Sequence, residues 1–284
     1  MKPVFAYYGG KGRLGPGWIV PNLPKHRVYV EPFAGSAAVL LAKPPVCHEV
    51  LNDLDGHVIN FYRVLRERPD DLLHAVSLSP YSREEYALAD VDEPGLDDLE
   101  RARRWWVRST QGFGQSATRQ TGWSISTAQT SPRMYQLTRR LDRFAPVAER
   151  LRHVFIENSD AVAIIERFGA DPTACLYVDP PYLRSTRSAP TCYRHEFQED
   201  HQHQALAEVL HAAKAAVVLS GYPSDLYDQD LYASWHRIET VVTMRAGNGR
   251  KGAQLEDVVE VLWSNRPFPE PDEVHLSLFD EMAS

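Results

Sequence analysis

The sequence predicts an α/β protein whose mostly parallel sheet of seven strands closes on a C-terminal antiparallel hairpin. Three observations predict it. Short β-branched and aromatic runs alternate with amphipathic helical stretches. The last two β-rich runs, 237–244 and 257–263, are joined by a Gly-rich stretch without helical pattern, which makes them a hairpin. An Arg-rich segment interrupts the alternation mid-chain, so the α/β unit is discontinuous.

The elements follow in order. Arg27–Glu31 reads RVYVE, a strand that stops at Pro32, and AGSAAVLLA then opens a helix with small residues. Val46–Leu51 is the second strand. The helix 54–68 after it sets Val58, Ile59, Phe61, Tyr62 and Leu65 on one face. Beyond the interruption, Val154–Ile156 is a strand and 160–168 a helix, Leu176–Val178 a strand and 199–213 a helix, and Val217–Leu219 a strand. The economical division joins 1–75 with 151–266 as one discontinuous domain. A mostly helical module, about 76–150, is inserted. A tail, 267–284, begins with Pro267, Pro269 and Pro271. No internal repeat has solenoid spacing.

Composition excludes several classes. Charged residues make up 24% of the 284 and hydrophobic ones 43%, ordinary globular fractions that exclude global disorder and collagen-like repeats. No apolar run approaches the ~20 residues that span a bilayer. The opening MKPVFAYYGGKG lacks the apolar core of a secretory signal. Cys47, Cys175 and Cys192 are far apart with no CxxC, so no zinc site or disulfide framework is expected, and a cytoplasmic compartment is. His195, His201 and His203 form a loose cluster. His201 and His203 stand at i, i+2 of a helix start, a poor ligand spacing, and no metal is expected.

The net charge of −7 hides an asymmetry. Residues 101–150 hold ten Arg, no Lys, and only Asp142 and Glu149 as acids. Trp105, Trp106, Phe113 and Trp123 are interleaved with them. Arg grips phosphate bidentately and stacks on bases, so this block fits a nucleic-acid face. It also fits a helix face paired with the acidic stretch 84–100 beside it. The DNA-contact candidates are Arg104, Arg108, Arg119 and Arg139, with Arg250 and Lys251 in the Gly-rich turn. Arg184 and Arg187 are further candidates for phosphate contact and fit a solvated turn equally.

Two strand ends carry chemistry. Pro32-Phe33-Ala34-Gly35-Ser36-Ala37 is a small-residue turn between a strand and a helix, where backbone approaches a ligand closely, although it is not GxGxxG. Asp53, at the tip of the second strand, stands where nucleotide-binding α/β folds hold ribose hydroxyls; it also fits a cap for the next helix. Asp179-Pro180-Pro181-Tyr182 follows the strand CLYV, at the carboxyl end where open sheets bind ligands. Its prolines stiffen the loop and remove amide donors. The loop therefore presents acceptors and one aromatic ring, which suits a planar amine with two N–H donors.

Together these segments resemble the Dam-like, D12-class DNA adenine-N6 methyltransferases, which use S-adenosylmethionine. YYGGKGRL looks like that family's W-A-G-G-K segment, EPFAGSAAVLL like its first cofactor motif and VLNDLDGHVINFYRVLR like its second. HVFIENSDAVAII, LYVDPPY and VVLSGY keep the family's order, and NGRKGAQLEDVVEVLW is similar to its C-terminal hairpin. The resemblance covers nearly the whole chain. It implies a Rossmann-like methyltransferase sheet with an inserted helical target-recognition module. It implies that Tyr7 and Lys11 line the cofactor pocket, with Lys11 paired to a carboxylate, plausibly that of the cofactor's methionine moiety. Glu31, Phe33 and Gly35 would shape the methionine side, Asp53 would take the ribose, and Asp160 the cofactor adenine or its amine. Asp179, Pro180, Pro181 and Tyr182 would hold the target base. Tyr7 stands where the family commonly has Trp, and Gly35-Ser36-Ala37 replaces a second Gly. The inserted module matches by position and aromatic–Arg character only, so no recognition sequence is carried over.

The implied chemistry is methyl transfer to the amine of an adenine flipped from double-stranded DNA. A carboxylate of ordinary pKa, ~4, is too weak a base to deprotonate that amine beforehand. Asp179 would accept one N–H and the Pro180 carbonyl the other, aiming the lone pair and stabilising charge as it develops. Competing readings are a cytosine-N4 enzyme, an RNA substrate, a catalytically idle DNA-binding protein and a dinucleotide oxidoreductase. In the tail, His275–Phe279 (HLSLF) resembles the QLSLF-type peptide that bacterial replication proteins dock into the sliding clamp, with His275 for Gln. A cognate restriction enzyme is the other partner the resemblance suggests.

Overall fold

In the computed structural model, the described residues are 1–5, 7–112, 122–124, 132–186, 194, 197, 199–245 and 255–270. The seven strands are β1 (Val28–Glu31), β2 (His48–Asn52), β3 (Val154–Glu157), β4 (Ala174–Val178), β5 (Ala216–Gly221), β6 (His236–Arg245) and β7 (Leu255–Ser264). They form one sheet in the order β3-β2-β1-β4-β5-β7-β6. β1 pairs parallel with both β2 and β4, β2 with β3, and β4 with β5. β7 enters antiparallel beside β5 and carries β6 on its outer edge, from His236 opposite Ser264 to Arg245 opposite Leu255.

β4 (ACLYV) and β5 (AVVLSG) are buried at every position. That is the signature of central parallel strands covered on both faces. Among the described residues the α-helices are α1 (Ala38–Ala42), α2 (Gly56–Glu67), α3 (Pro69–Leu78), α4 (Arg83–Leu88), α5 (Asp98–Gln111), α6 (Pro132–Leu141), α7 (Phe144–Leu151), α8 (Ala161–Gly169) and α9 (Asp200–Ala212), with α2 packing on β3, α8 on β4, and α3, α4 and α5 on other helices. Asp55 caps α2 by accepting from the His57 amide, and the helix buries the apolar face read from its periodicity. Asp160 does the same for α8, accepting from the Val162 amide at 2.8 Å. The strand order turns back between β1 and β4, so the loops after these two strands diverge around one crevice, the switch point of the sheet.

α5 corrects one expectation. Asp97 caps it, and its apolar face packs into the same core as α2. Trp105 and Trp106 are each 1% exposed. Trp105 stands edge-on to Phe5 at 4.5 Å and lies 5.1 Å from Phe61. Neither indole is offered to a base. Arg104 binds Glu100 at 2.8 Å and also Glu93, while Arg108 is buried, with Nη1 on the Ala89 carbonyl at 3.3 Å and Asp90 at 3.9 Å. Arg103 is bound by Glu100 and Glu85. These arginines neutralise the acidic stretch beside them, the alternative that the charge pattern also allowed.

Candidate active site

The β1 turn is built by backbone geometry and held from β2. Gly35 has φ +45°, and a Cβ there would lie 3.0 Å from the Tyr7 ring. Only glycine meets both conditions without strain. Asp53 Oδ2 accepts the Gly35 amide at 2.9 Å, and its Oδ1 accepts the Asp55 amide at 2.9 Å. Burial pushes the Asp53 carboxyl up to about 6, against the pull of those amides. Asp53 therefore braces the turn, and the cap of α2 is Asp55 instead. Asn52 donates to the Pro32 and Ser159 carbonyls at 2.9 and 3.0 Å, fixing three strand ends to one another.

Glu31 closes β1 with its side chain buried. Its Oε1 accepts the Tyr29 hydroxyl at 2.8 Å and the Leu40 amide at 2.6 Å. Burial raises its carboxyl to about 8, and those two hydrogen bonds oppose the rise. Glu31 lines a pocket with Phe33 and Gly35 from the turn, Tyr7 and Lys11 from the N-terminal segment, and Asp179 from the loop after β4. Gly10 lets that segment fold tightly, since a Cβ would meet the Tyr7 carbonyl at 3.0 Å and Ser36 Oγ at 3.2 Å. The six residues read from separate motifs thus converge on one crevice. Asp160 does not line it: it is exposed and engaged as the α8 cap.

The Asp179-Pro180-Pro181-Tyr182 loop leaves β4 directly above β5 and β7. Ser220, on β5, donates to Asp179 Oδ1 at 2.9 Å, and Tyr177 shares a hydrogen bond with Ser220 at 3.0 Å. Lys11 Nζ lies 2.8 Å from Asp179 Oδ1 and 2.9 Å from Oδ2. The carboxylate beside Lys11 is thus the chain's own. Burial alone would lower the Lys11 pKa; Asp179 and Glu260 overcome this and raise it, so the ammonium stays charged. Tyr182 is 8% exposed, stands edge-on to Tyr222 at 4.5 Å, and carries the Lys11 ammonium 4.7 Å from its ring centre. Its hydroxyl donates to Glu260 on β7. Ser220, Tyr222 and Glu260 were missed in the sequence, although SGY followed a strand and Glu260 interrupts VVEVLW.

The remaining candidates lie elsewhere. Arg139, on α6, and Arg184, after the loop, are exposed. Arg119, Arg187, Arg250, Lys251, His195, Cys192 and His275–Phe279 lie outside the described residues. His203 is buried and structural, with Nδ1 on the Tyr227 hydroxyl at 2.7 Å and Nε2 on the Phe197 carbonyl at 3.0 Å. Among the described residues, no helix is long and apolar enough to cross a membrane.

A seven-stranded sheet of this order, with a small-residue turn after β1 and an acidic Pro-Pro loop after β4 facing one crevice, defines a Rossmann-like methyltransferase. The chain belongs to the D12 class N6 adenine-specific DNA methyltransferase family, whose model matches residues 7–245. The Type II methyltransferase M1.LlaDCHI of Lactococcus lactis subsp. cremoris is 24% identical over 286 aligned positions, covering 93% of this chain and 95% of that protein. The DNA N-6-adenine-methyltransferase of Escherichia phage P1 is 26% identical over 86% of this chain, which spans only 33% of that longer relative. Among solved structures, the precorrin 8W decarboxylase of Methanobacterium thermoautotrophicum overlays with a TM-score of 0.38 at 8% identity, over 88% of this chain and 86% of that one.

Proposed function

We propose that the chain transfers a methyl group from S-adenosylmethionine to N6 of an adenine flipped out of double-stranded DNA. The observation that carries the reading is the convergence, at one switch point, of the β1 turn with the Asp179-Pro180-Pro181-Tyr182 loop. The donor set fits the proposed cofactor. Glu31 is a buried carboxyl whose hydrogen bonds come from neutral donors, the Tyr29 hydroxyl and the Leu40 amide. An ammonium or sulfonium beside it would favour its ionised form. Tyr7 and Phe33 give the pocket aromatic walls, and Gly35 keeps its floor free of side chain. Asp53, at the tip of β2, remains the proposed partner for a ribose hydroxyl.

S-adenosylmethionine, when bound, supplies an electrophilic methyl group on a sulfonium. The chain's residues hold and orient the nucleophile. Asp179 accepts one N–H of the adenine amine and the Pro180 carbonyl the other, so the nitrogen lone pair points into the crevice. Ser220, itself held by Tyr177, fixes the Asp179 oxygen that it touches. The carboxylate stabilises positive charge as it develops on the amine. Tyr182 supplies an aromatic wall for the base.

The test is single-molecule sequencing of genomic DNA from an expression host without adenine methylation of its own, comparing wild type with Asp179→Ala. A modified-adenine motif present only with wild type is the expected result, with Asp179→Ala reducing methylation by about 10²-fold or more. Near-wild-type methylation by Asp179→Ala, or modified cytosine in place of adenine, overturns the reading. The same map gives the recognition sequence and shows whether a cognate restriction enzyme would have a site to cut. The tail segment His275–Phe279 is proposed, from its sequence, to dock into the bacterial sliding clamp. Failure of a 270–284 peptide to bind purified clamp overturns that partner.

A further inference from the structure

β7 brings to the Asp179 loop a carboxylate that the chemistry above leaves unused. Glu260 is 5% exposed, whereas the residues after it, Val261, Leu262 and Trp263, are apolar and fully buried. Placing an acid in such surroundings is costly unless a charge or donor meets it. Two groups do. The Tyr182 hydroxyl donates to Glu260 Oε1, and Lys11 Nζ lies 3.5 Å from the same oxygen.

Lys11 therefore stands between two carboxylates. It is bonded to both oxygens of Asp179 at 2.8 and 2.9 Å and to the Gly9 carbonyl at 3.0 Å. Asp179 Oδ1 also accepts Ser220 at 2.9 Å, so that oxygen already has two donors. Each carboxylate oxygen offers about two lone-pair positions. Oδ2 accepts from Lys11 with a second position open, so an entering amine binds there beside the ammonium and weakens its hold on Asp179. If Lys11 simply left, a buried ammonium would lose its counter-charge, which is strongly unfavourable. A second carboxylate within one small shift of Nζ removes that obstacle.

We propose that Glu260 is a positioning residue of the methyl-transfer site: it receives the Lys11 ammonium as Asp179 turns to the target amine, and it anchors Tyr182 throughout. The inference rests on the adenine-N6 reading above. No proton moves and no bond is made in this exchange; one hydrogen-bonded cation changes its principal partner. Two carboxylates around one ammonium leave one negative charge in excess, which suits a centre where the substrate amine becomes positive. Glu260 touches neither the amine nor the methyl donor in this account and acts through Lys11 and Tyr182.

The experiment uses the full-length protein and a duplex bearing the sequenced recognition site, with 2-aminopurine at the target position for flipping measurements. Glu260→Gln keeps an acceptor for the Tyr182 hydroxyl and removes the charge. It should slow single-turnover methyl transfer by about 10- to 100-fold, the range of strongly coupled neighbouring groups. Its S-adenosylmethionine affinity, read by calorimetry, and its 2-aminopurine signal should stay near wild type. Glu260→Ala also loses the anchor, and its flipping signal should fall. Combining Glu260→Gln with Lys11→Met should give a variant no slower than Lys11→Met alone, because the two residues act on one step. A wild-type transfer rate in Glu260→Gln, or a fully additive double variant, overturns the inference. If Asp179→Ala methylates like wild type, the adenine reading itself falls and this inference with it; if Asp179→Ala is inactive and Glu260→Gln is normal, only this inference falls.

Discussion

Glu31 is a carboxyl whose environment opposes its own charge. It is 2% exposed, and its pKa of about 8 stands well above the ordinary 4.5. Between those values the folded chain holds a proton that the unfolded chain releases. Stability therefore falls as pH rises from about 4.5 to 8, at up to about 1.4 kcal/mol per unit, and levels off above. Glu31→Gln keeps an oxygen for both the Tyr29 hydroxyl and the Leu40 amide, which already share Oε1. Melting curves of the ligand-free protein from pH 5 to 9 should show wild type losing stability relative to Glu31→Gln across that window. Parallel curves would contradict the burial argument. The turn after β1 and the Asp179-Pro180-Pro181-Tyr182 loop were legible at this scale because both are turns whose residue types admit few other uses. Gly35 and Pro180 are chosen by backbone constraints that a sequence displays openly. Glu260 was not legible. Asp257 and Glu260 lie on the same strand, yet the first is exposed and the second buried, and only the pairing of β7 with β5 decides which.

At the scale of elements, the strands and their order of appearance were readable, because the apolar runs of four to six residues in β1–β5 alternate with helices and the two longer runs of β6 and β7 do not. The spans of α2, α8 and α9 were readable to within two residues, but the caps were not: Asp55 rather than Asp53 caps α2, and Asp160, read as a cofactor contact, caps α8. α5 is where the Arg–Trp block resolves to the second of its two readings, a helix face paired with neighbouring acids. Its sequence, DLERARRWWVRSTQ, displays Arg and Trp together, but a helix separates them by face. Trp105 and Trp106 turn to the core with Ala102, while Arg103 and Arg104 turn to Glu85, Glu93 and Glu100. Net charge over the 101–150 window alone could not choose between the two readings, since the neutralising acids lie up to 18 positions upstream. A similar internal cluster ties α7 to the sheet. Glu49 on β2 is 1% exposed and meets Arg150 and the Lys43 ammonium. Burial would raise its pKa, but the hydrogen bonds of Arg150 and Lys43 hold it below the ordinary value. Its contribution to stability is thus present at neutral pH and is lost as pH falls through the lowered value.

For the molecule as a whole, the charge distribution sets how DNA is approached. A chain of net charge −7 repels a polyanion on average, so association depends on cations displayed locally at the surface. Arg104 is spent on Glu93 and Glu100, with 15% of its side chain exposed. Arg139 lies on α6 and is exposed. The two should therefore differ in a measurement that counts phosphate contacts. Affinity for a duplex without the recognition sequence falls with salt at a logarithmic slope of about 0.9 for each phosphate neutralised. Arg139→Ala is expected to reduce that slope by about one contact. Arg104→Ala is expected to leave it unchanged and to lower thermal stability instead, because Glu93 and Glu100 lose a shared partner. A reduced slope for Arg104→Ala would mean that α5 reopens on DNA and returns its arginines to the phosphates. An unchanged slope for Arg139→Ala would remove α6 from the DNA face and move the contact to other exposed arginines, Arg184 first among those described.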